Sequence, residues 1–270
     1  MCMKELMGIL NINNESFFAG SRCTNVGLAV ERIEKMYELG ADIIDLGGCS
    51  TRPGSTPVSQ EQEWEYLKPV LSALPCKRPY KLSIDTFYSR TVELAYDIVG
   101  DFIVNDISAG EDDSRMLPIV GKLKLPYIAM HKRGTPSTMQ QMCDYPNGVV
   151  NEVIRYFKEF EVRAGEHGVT DYIIDPGLGF AKTIGQNYEL LCGTGRIKRE
   201  LGRKILIGLS RKGMIWRLLG TSPDDALCGT VALNLLALVK GADIIRVHDV
   251  KEGAETIRLA HAVMEAEKSM

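Results

Sequence analysis

The sequence predicts one (β/α)8 barrel, the TIM-barrel fold, as a single domain over residues 1–270. Short apolar segments rich in β-branched residues alternate with longer amphipathic segments along the whole chain. About eight such units of roughly 30 residues each fit this fold. The short segments are mostly continuous in their apolar character, which is typical of parallel strands covered on both faces.

Eight segments have the composition of such strands. They are Met7–Ile12, Asp42–Leu46, Tyr80–Ile84, Phe102–Asn105, Pro126–His131, Tyr172–Ile174, Ile205–Gly208 and Asp243–Val247. Between them, apolar residues at helical spacing predict helices at Ala29–Leu39, Val149–Ala164 and Val250–Met264. Ser59 and Gln62 match a capping-box pattern, which predicts a further helix start.

Two other architectures are compatible with a chain of this length, namely a pair of small domains and a doubly wound open sheet. The open sheet usually carries a glycine-rich turn after its first strand. Here the first strand is followed by Asn13, Asn14 and Glu15, and no linker divides the chain. The barrel is therefore favoured.

Composition argues against several classes of function. The formal net charge of −3 gives no electrostatic reason to expect binding to nucleic acid or to an anionic membrane. No apolar run is long enough to span a bilayer, and the first residues lack a signal-peptide pattern. The seven cysteines are scattered, without a CxxC motif. We therefore expect reduced thiols in a cytoplasmic protein.

A polar or charged group stands at the end of every predicted strand, which is where barrels of this fold carry their chemistry. The segments concerned begin at Asn11, Asp45, Asp85, Asn105, Met130, Asp175, Gly208 and Arg246. Any one such residue, taken alone, is more simply explained as a helix cap. Eight of them at one face of the barrel indicate a binding site.

Asp85, Asn105 and Asp175 end strands that should direct their side chains toward the barrel axis. Their oxygens suit a flat heterocycle with several N–H donors, such as a 2-amino-4-oxo pyrimidine ring. A carboxylate can accept two parallel N–H bonds from the edge of such a ring, as it does from arginine.

The neighbouring strand ends carry cations. Lys212, Arg246 and His248, together with Asn11, suit a diphosphate carried with Mg²⁺, which prefers oxygen ligands and takes few of them from protein. Ser210 lies just before a predicted helix, where a hydroxyl and free backbone N–H groups favour a carboxylate.

A transition-metal site is not expected, because the histidines show no metal-ligand spacing. His131 is expected to support a strand end.

The motifs resemble those of the dihydropteroate synthase family, in the same order and over almost the whole chain. They are MGILN at 7–11, GGCSTRPGS at 47–55, SIDT at 83–86, IVNDISAG at 103–110, MHKRGTPSTMQ at 130–140, DPGLGFAKT at 175–183, GLSRKGM at 208–214 and RVHDV at 246–250. The STRPG and SRK motifs favour this family over the related pterin-dependent methyltransferases.

The resemblance implies an enzyme of folate synthesis that is usually a homodimer. Such an enzyme condenses 6-hydroxymethyl-7,8-dihydropterin diphosphate with 4-aminobenzoate and releases diphosphate. Mg²⁺ assists the reaction, and sulfonamides compete with 4-aminobenzoate.

The resemblance also implies roles for individual residues, three of which (Lys212, Arg246 and His248) we expect to act in catalysis. The positions that it implies for pterin binding are Asp85, Asn105, Asp175 and Lys212. The positions implied for diphosphate and metal are Asn11, as the metal ligand, Arg246 and His248. The positions implied for closing over the substrates or contacting 4-aminobenzoate are Phe17, Thr51, Arg52 and Ser210.

The first loop departs from the family pattern Asn-Val-Thr-Pro-Asp-Ser-Phe, because Asn13, Asn14 and Glu15 replace its Thr, Pro and Asp. Loss of the proline should make ordering of this loop more costly by about 0.4–1 kcal/mol. Two alternatives to an active synthase therefore stay open. One is a paralogue that binds pterin without turnover, and the other is a pterin-dependent methyltransferase on the same barrel.

Overall fold

Eight parallel strands surrounded by helices make up the computed structural model, which describes residues 4–12, 22–48, 58–135 and 138–269. The strands are β1 (Glu5–Asn11), β2 (Ile43–Gly47), β3 (Lys81–Asp85), β4 (Ile103–Asp106), β5 (Tyr127–Met130), β6 (Tyr172–Asp175), β7 (Leu206–Ile207) and β8 (Ile244–Val247). The α-helices of the described residues are α1 (Arg22–Glu38), α2 (Gln60–Ala73), α3 (Ser89–Val99), α4 (Met116–Leu123), α5 (Val149–Glu166), α6 (Ile184–Leu201), α7 (Gly213–Leu219), α8 (Leu227–Val239) and α9 (Val250–Lys268).

The sheet closes on itself. Its strand order is β6-β5-β4-β3-β2-β1-β8-β7. A parallel bridge between Ile174 and Ile205 joins the two ends, and the N–H of Ile174 donates to the Lys204 carbonyl at 3.0 Å. The predicted (β/α)8 barrel is therefore confirmed, and each predicted strand overlaps an observed one. One unit departs from the simple repeat, because both α7 and α8 lie between β7 and β8.

Helix starts follow the local sequence. The Ser59 hydroxyl accepts from the Gln62 N–H, and the Gln62 side chain accepts from the Ser59 N–H, so the predicted capping box is confirmed. Thr183 and Gln186 form the same arrangement before α6, which the sequence analysis did not single out. Among the described residues, no helix is both long and apolar enough to cross a membrane.

The alternation of side chains along the strands produces two layers inside the barrel. The lower layer is apolar and forms a cluster separate from the core beneath the helices. Its members are Met7, Ile43, Ile103, Ile128, Ile173, Leu206 and Ile244. Two residues further along their strands, the same inward face carries Asp45, Asn105, Asp175, Gly208 and Arg246. The barrel therefore has an apolar floor directly below a polar layer at its C-terminal mouth.

The floor should contribute strongly to stability. Ile128 is fully buried within it, so Ile128→Ala should lower the free energy of unfolding by about 2–5 kcal/mol through lost burial and a residual cavity. Denaturant unfolding measures this change. Leu259→Ala is the matched control, because Leu259 is 60% exposed and its truncation should have little effect. Equal losses in the two variants would contradict a packed floor.

Candidate active site

An arginine and two aspartates form a buried ion cluster inside the mouth. Nε of Arg246 donates to Asp45 Oδ2 at 2.7 Å, and Nη2 lies 2.6 Å from the same oxygen and 2.7 Å from Asp85 Oδ2. Asp45 is fully buried, and Asp85 is nearly so. These bonds join β8 to β2 and β3 across the interior of the barrel. Because a lone buried charge is strongly unfavourable, each of the three groups needs the others.

The cluster sets the protonation of its members. Burial raises the pKa of Asp85 to about 7 despite the opposing charge of Arg246, and the like charge of Asp45 adds to the increase. Burial lowers the pKa of Arg246, but Asp45 and Asp85 outweigh it, and the net shift is upward. The guanidinium therefore stays charged, whereas Asp85 can change its charge near neutral pH.

Asp45 also organises two neutral side chains. Its Oδ1 accepts from the Ser83 hydroxyl at 2.6 Å, and its Oδ2 accepts from Nδ2 of Asn105 at 3.1 Å. The sequence analysis included Asp45 in a strand-end segment but gave it no role. Its position two residues after Ile43, on the inward face of β2, was the signal that could have identified it.

Asp175 and Lys212 bring opposite charges close together at the mouth. Asp175 Oδ1 accepts from the Gly177 N–H at 2.7 Å, and Lys212 Nζ donates to the Leu178 carbonyl at 2.5 Å. Burial raises the pKa of Asp175, and Lys212 partly opposes that shift. Burial likewise lowers the pKa of Lys212 to about 8, with Asp175 opposing.

Gly208, directly after β7, lies close to the charged groups of Asp175 and Lys212. A Cβ atom built on it would lie 3.8 Å from Arg246 Cβ, 3.9 Å from Lys212 Nζ and 4.0 Å from Asp175 Oδ2. Lys212 Nζ and Asp175 Oδ2 thus lie close to one point directly after β7, which the glycine leaves without a side chain.

Ser210 and His248 contact one another at the rim of the mouth. The Ser210 hydroxyl accepts from the His248 backbone N–H at 3.2 Å and lies 3.1 Å from Nδ1 of the imidazole. Arg211, between Ser210 and Lys212, has a positive φ of 54°. Its guanidinium donates to both carboxylate oxygens of Asp249 at 2.9 Å. This pair ties the loop after β7 to the loop after β8.

Asn11 ends β1 on the inward face and is paired in register with Gly47, which is in turn paired with Asp85. Its side chain is half-buried. Within the described ranges, no three His, Cys, Asp or Glu side chains come together to hold a metal. Three further predicted site residues, Phe17, Thr51 and Arg52, lie outside the described residues.

The loop after β6 is organised by a buried lysine that the sequence analysis missed. Lys182 Nζ donates to the carbonyls of Gly177 at 2.9 Å and Phe180 at 2.8 Å, and lies 3.0 Å from Nδ1 of His131. Burial lowers the pKa of Lys182 to about 7 and holds the pKa of His131 well below its usual range. His131 therefore acts as a neutral support at the end of β5. Together these groups shape the turn that follows Asp175.

A buried glutamate underlies the ends of β2 and β3. Glu63 Oε2 accepts from the hydroxyls of Thr86 and Thr91, each at 2.7 Å, while Oε1 is buried and has no partner among the described residues. Burial raises the pKa of Glu63 to about 7, although both hydroxyls oppose that shift. Its carboxyl group is thus partly protonated at neutral pH, next to the strand that carries Asp85.

Comparisons with known proteins identify the family of this chain. A family model described as "Pterin binding enzyme" matches residues 7–248. The dihydropteroate synthase of Escherichia coli is 37% identical over 266 residues, which cover 98% of this chain and 93% of that protein. The folic acid synthesis protein of Schizosaccharomyces pombe is 38% identical, and the chain spans only 36% of its length.

Solved structures are similar over nearly their whole length. Dihydropteroate synthase from Clostridium difficile, determined in the presence of pteroic acid, is 34% identical with a TM-score of 0.89, and the match covers 97% of each chain. The enzyme from Xanthomonas albilineans, determined with 4-aminobenzoic acid, is 36% identical with a TM-score of 0.87. That match covers 97% of this chain and 93% of the other.

The buried carboxyl of Glu63 should make stability depend on pH. Between about pH 4.5 and 7 the folded state keeps a proton that the unfolded state has released, so stability falls as pH rises through this window. Glu63→Gln cannot titrate. Relative to this variant, the wild type should lose about 2–3 kcal/mol of unfolding free energy between pH 4.5 and 7.5.

Urea unfolding at several pH values measures the difference between wild type and Glu63→Gln. Glu65→Gln, an exposed position on the same helix, is the control and should follow the wild type across the range. A constant difference between wild type and Glu63→Gln at every pH would show that Glu63 titrates normally.

Proposed function

Since the chain belongs to the dihydropteroate synthase family of pterin-binding enzymes, we propose that it is a transferase of folate synthesis that acts at this barrel mouth. It joins 6-hydroxymethyl-7,8-dihydropterin diphosphate to 4-aminobenzoate and releases diphosphate. One observation carries the assignment to this site. The inward polar layer sets carboxylate and amide acceptors beside an arginine and a lysine, around the position of Gly208.

The pterin ring lies between the acceptors and Lys212. Asp175 accepts from one N–H of the 2-amino group with one carboxylate oxygen and from the adjacent ring N–H with the other, because the bond from Gly177 leaves a lone pair free on Oδ1. Asn105 accepts from the second N–H of the 2-amino group, and Asp85 accepts from a remaining ring N–H. Lys212 donates to the oxygen or nitrogen acceptors of the ring. Two parallel bonds to one carboxylate fix the plane of the ring as well as its position.

The diphosphate lies toward the rim, where Arg246 and His248 stand on β8 and in the loop after it. Mg²⁺ bound to the diphosphate would neutralise the charge that develops on the leaving group, and Asn11 is the side chain that would hold it. An amide oxygen suits this hard cation, which usually takes only one or two ligands from protein when phosphates supply others. Arg246 and His248 bind the remaining negative charge.

The chemistry requires positioning rather than a nucleophilic side chain. When diphosphate departs, positive charge develops on the methylene carbon conjugated to the pterin. Asp85 and Asp175 are nearly fully buried, and a fixed negative charge in such a place stabilises this carbon more than solvent would. The weakly basic aryl amine then only has to be held in line with the carbon.

4-Aminobenzoate enters from the rim above the pterin. Ser210 contacts its carboxylate, with His248 holding the hydroxyl in place. The family resemblance assigns the closing contacts over it to Phe17, Thr51 and Arg52, which lie outside the described residues. Sulfonamides, which resemble 4-aminobenzoate in shape and charge, compete for the same position.

We also propose that the enzyme works in the cytoplasm as a homodimer. The scattered cysteines suit reduced thiols. Leu218 and Leu219, at the end of α7, are 61% and 57% exposed and would be covered by a second copy.

A two-step experiment tests the function. Calorimetry first measures binding of the pterin diphosphate, and a turnover assay with 4-aminobenzoate follows, with and without Mg²⁺ and with a sulfonamide as competitor. Turnover that needs Mg²⁺ and is inhibited competitively supports the proposal. Binding without turnover would instead indicate a binding-only paralogue. Pterin-dependent methyl transfer without dihydropteroate formation would indicate the methyltransferase.

Asp175→Asn should weaken pterin binding far more than 4-aminobenzoate binding. An amide cannot accept N–H bonds on both sides, and the loss of a charge-assisted hydrogen bond is worth about 1.5–3 kcal/mol. Calorimetry with each ligand measures the two effects. Asp243→Asn is the matched control, because Asp243 is buried and paired with Lys198 at the opposite end of the barrel. Unchanged pterin affinity in Asp175→Asn would contradict the proposed role.

A further inference from the structure

Asp45 forms hydrogen bonds with more side chains of the polar layer than any residue to which a role in binding was assigned above. Its carboxylate accepts from three side chains on three other strands: Ser83 on β3, Asn105 on β4 and Arg246 on β8. Asp45 itself is fully buried and lies out of reach of solvent. The carboxylate thus acts on a ligand only through the groups that it holds.

The bond to Asn105 determines which end of that amide faces the ligand. A carboxylate can only accept hydrogen bonds, so the amide nitrogen of Asn105 must point toward Asp45. Its carbonyl oxygen then points away from Asp45. The two ends of an amide have nearly the same shape, and therefore the hydrogen-bond partner selects between them.

The carboxylate is well suited to impose this choice. Arg246 contacts Oδ2 through two nitrogen atoms that can only donate, so this oxygen, which also faces Asn105, serves as an acceptor. Ser83, which is paired in register with Asp45 and is fully buried, fixes the other oxygen. Rotation of the carboxylate would break bonds on both sides.

We infer that Asp45 is a positioning residue that determines ligand specificity, because it makes Asn105 present a carbonyl acceptor to the bound ring. The site thereby selects rings with an N–H donor at this edge and rejects rings with an acceptor there. This inference rests on the proposed binding of a pterin at the mouth.

The test compares two rings, both without diphosphate. One is the pterin, and the other is its 2,4-dioxo analogue, in which an oxygen acceptor replaces the 2-amino donor and N1 carries a proton. The contacts of the other residues with the two rings are the same in each variant, so the comparison between variants isolates Asn105. Asp45→Ser supplies a hydroxyl that can donate or accept, so Asn105 is free to turn over. Its preference for pterin, as the ratio of the two dissociation constants, should fall about tenfold below that of the wild type.

Two further variants separate orientation from general damage. Asp45→Asn keeps an oxygen acceptor toward Arg246 and Asn105, so its preference should stay within about threefold of the wild type. Asp243→Ser removes a buried, lysine-paired aspartate at the other end of the barrel and should leave the preference unchanged. Weaker binding of both rings by the same factor in Asp45→Ser would overturn the inference.

The outcomes also distinguish this inference from the proposed function. A wild type that binds no pterin overturns both, whereas pterin binding with an unaltered preference in Asp45→Ser overturns the inference alone. If Asp45→Ser does not fold, NMR of the wild type tests the inference through the side-chain NH₂ resonance of Asn105. This resonance is assigned by its absence from the spectrum of Asn105→Ala. It should exchange slowly with solvent before ligand is added. Fast exchange that slows only when pterin binds would overturn the inference, because the nitrogen would then face the ligand.

Discussion

The ion cluster of Asp45, Arg246 and Asp85 is the interaction on which the mouth of the barrel depends. Two carboxylates share one guanidinium in a place where none of the three is stable without the others. One positive charge does not fully neutralise two negative ones, and the pKa of Asp85 rises to about 7 as a result of burial and of Asp45 beside it. A ligand that brings N–H donors or positive charge relieves this imbalance. The empty site is therefore predisposed toward a ring that donates hydrogen bonds.

Strand geometry explains how the cluster is held. Seven of the eight strands contribute an apolar residue to the floor, and five of these carry a position of the polar layer two residues later. The floor keeps water from reaching the charges from below, which strengthens every electrostatic interaction above it. Support also comes from the outer face, where Glu63 accepts from Thr86, directly after Asp85. Stability and ligand recognition thus depend on the same alternation.

The sequence was sufficient to predict the barrel and most of the residues at its mouth. Continuous apolar runs identified the strands, and the polar residue at the end of each run identified candidates such as Asp85, Asn105 and Asp175. Asp45 and Lys182 were missed for a physical reason, since their roles arise from register and from loop closure between distant segments. The sequence also did not predict that two carboxylates bind Arg246, because the strands that carry these residues are far apart along the chain.

The central claim is that the mouth of the barrel offers hydrogen-bond acceptors to a ring that donates N–H groups. The number of protons released or taken up when pterin binds tests this claim most directly. Calorimetry in two buffers of different ionisation enthalpy gives this number for the ring without diphosphate. N–H donors stabilise the ionised form of Asp85, so binding near pH 6.5, where Lys212 is already charged, should release a fraction of a proton. Proton uptake, or no exchange, near pH 6.5 would contradict recognition of the ring through these carboxylates.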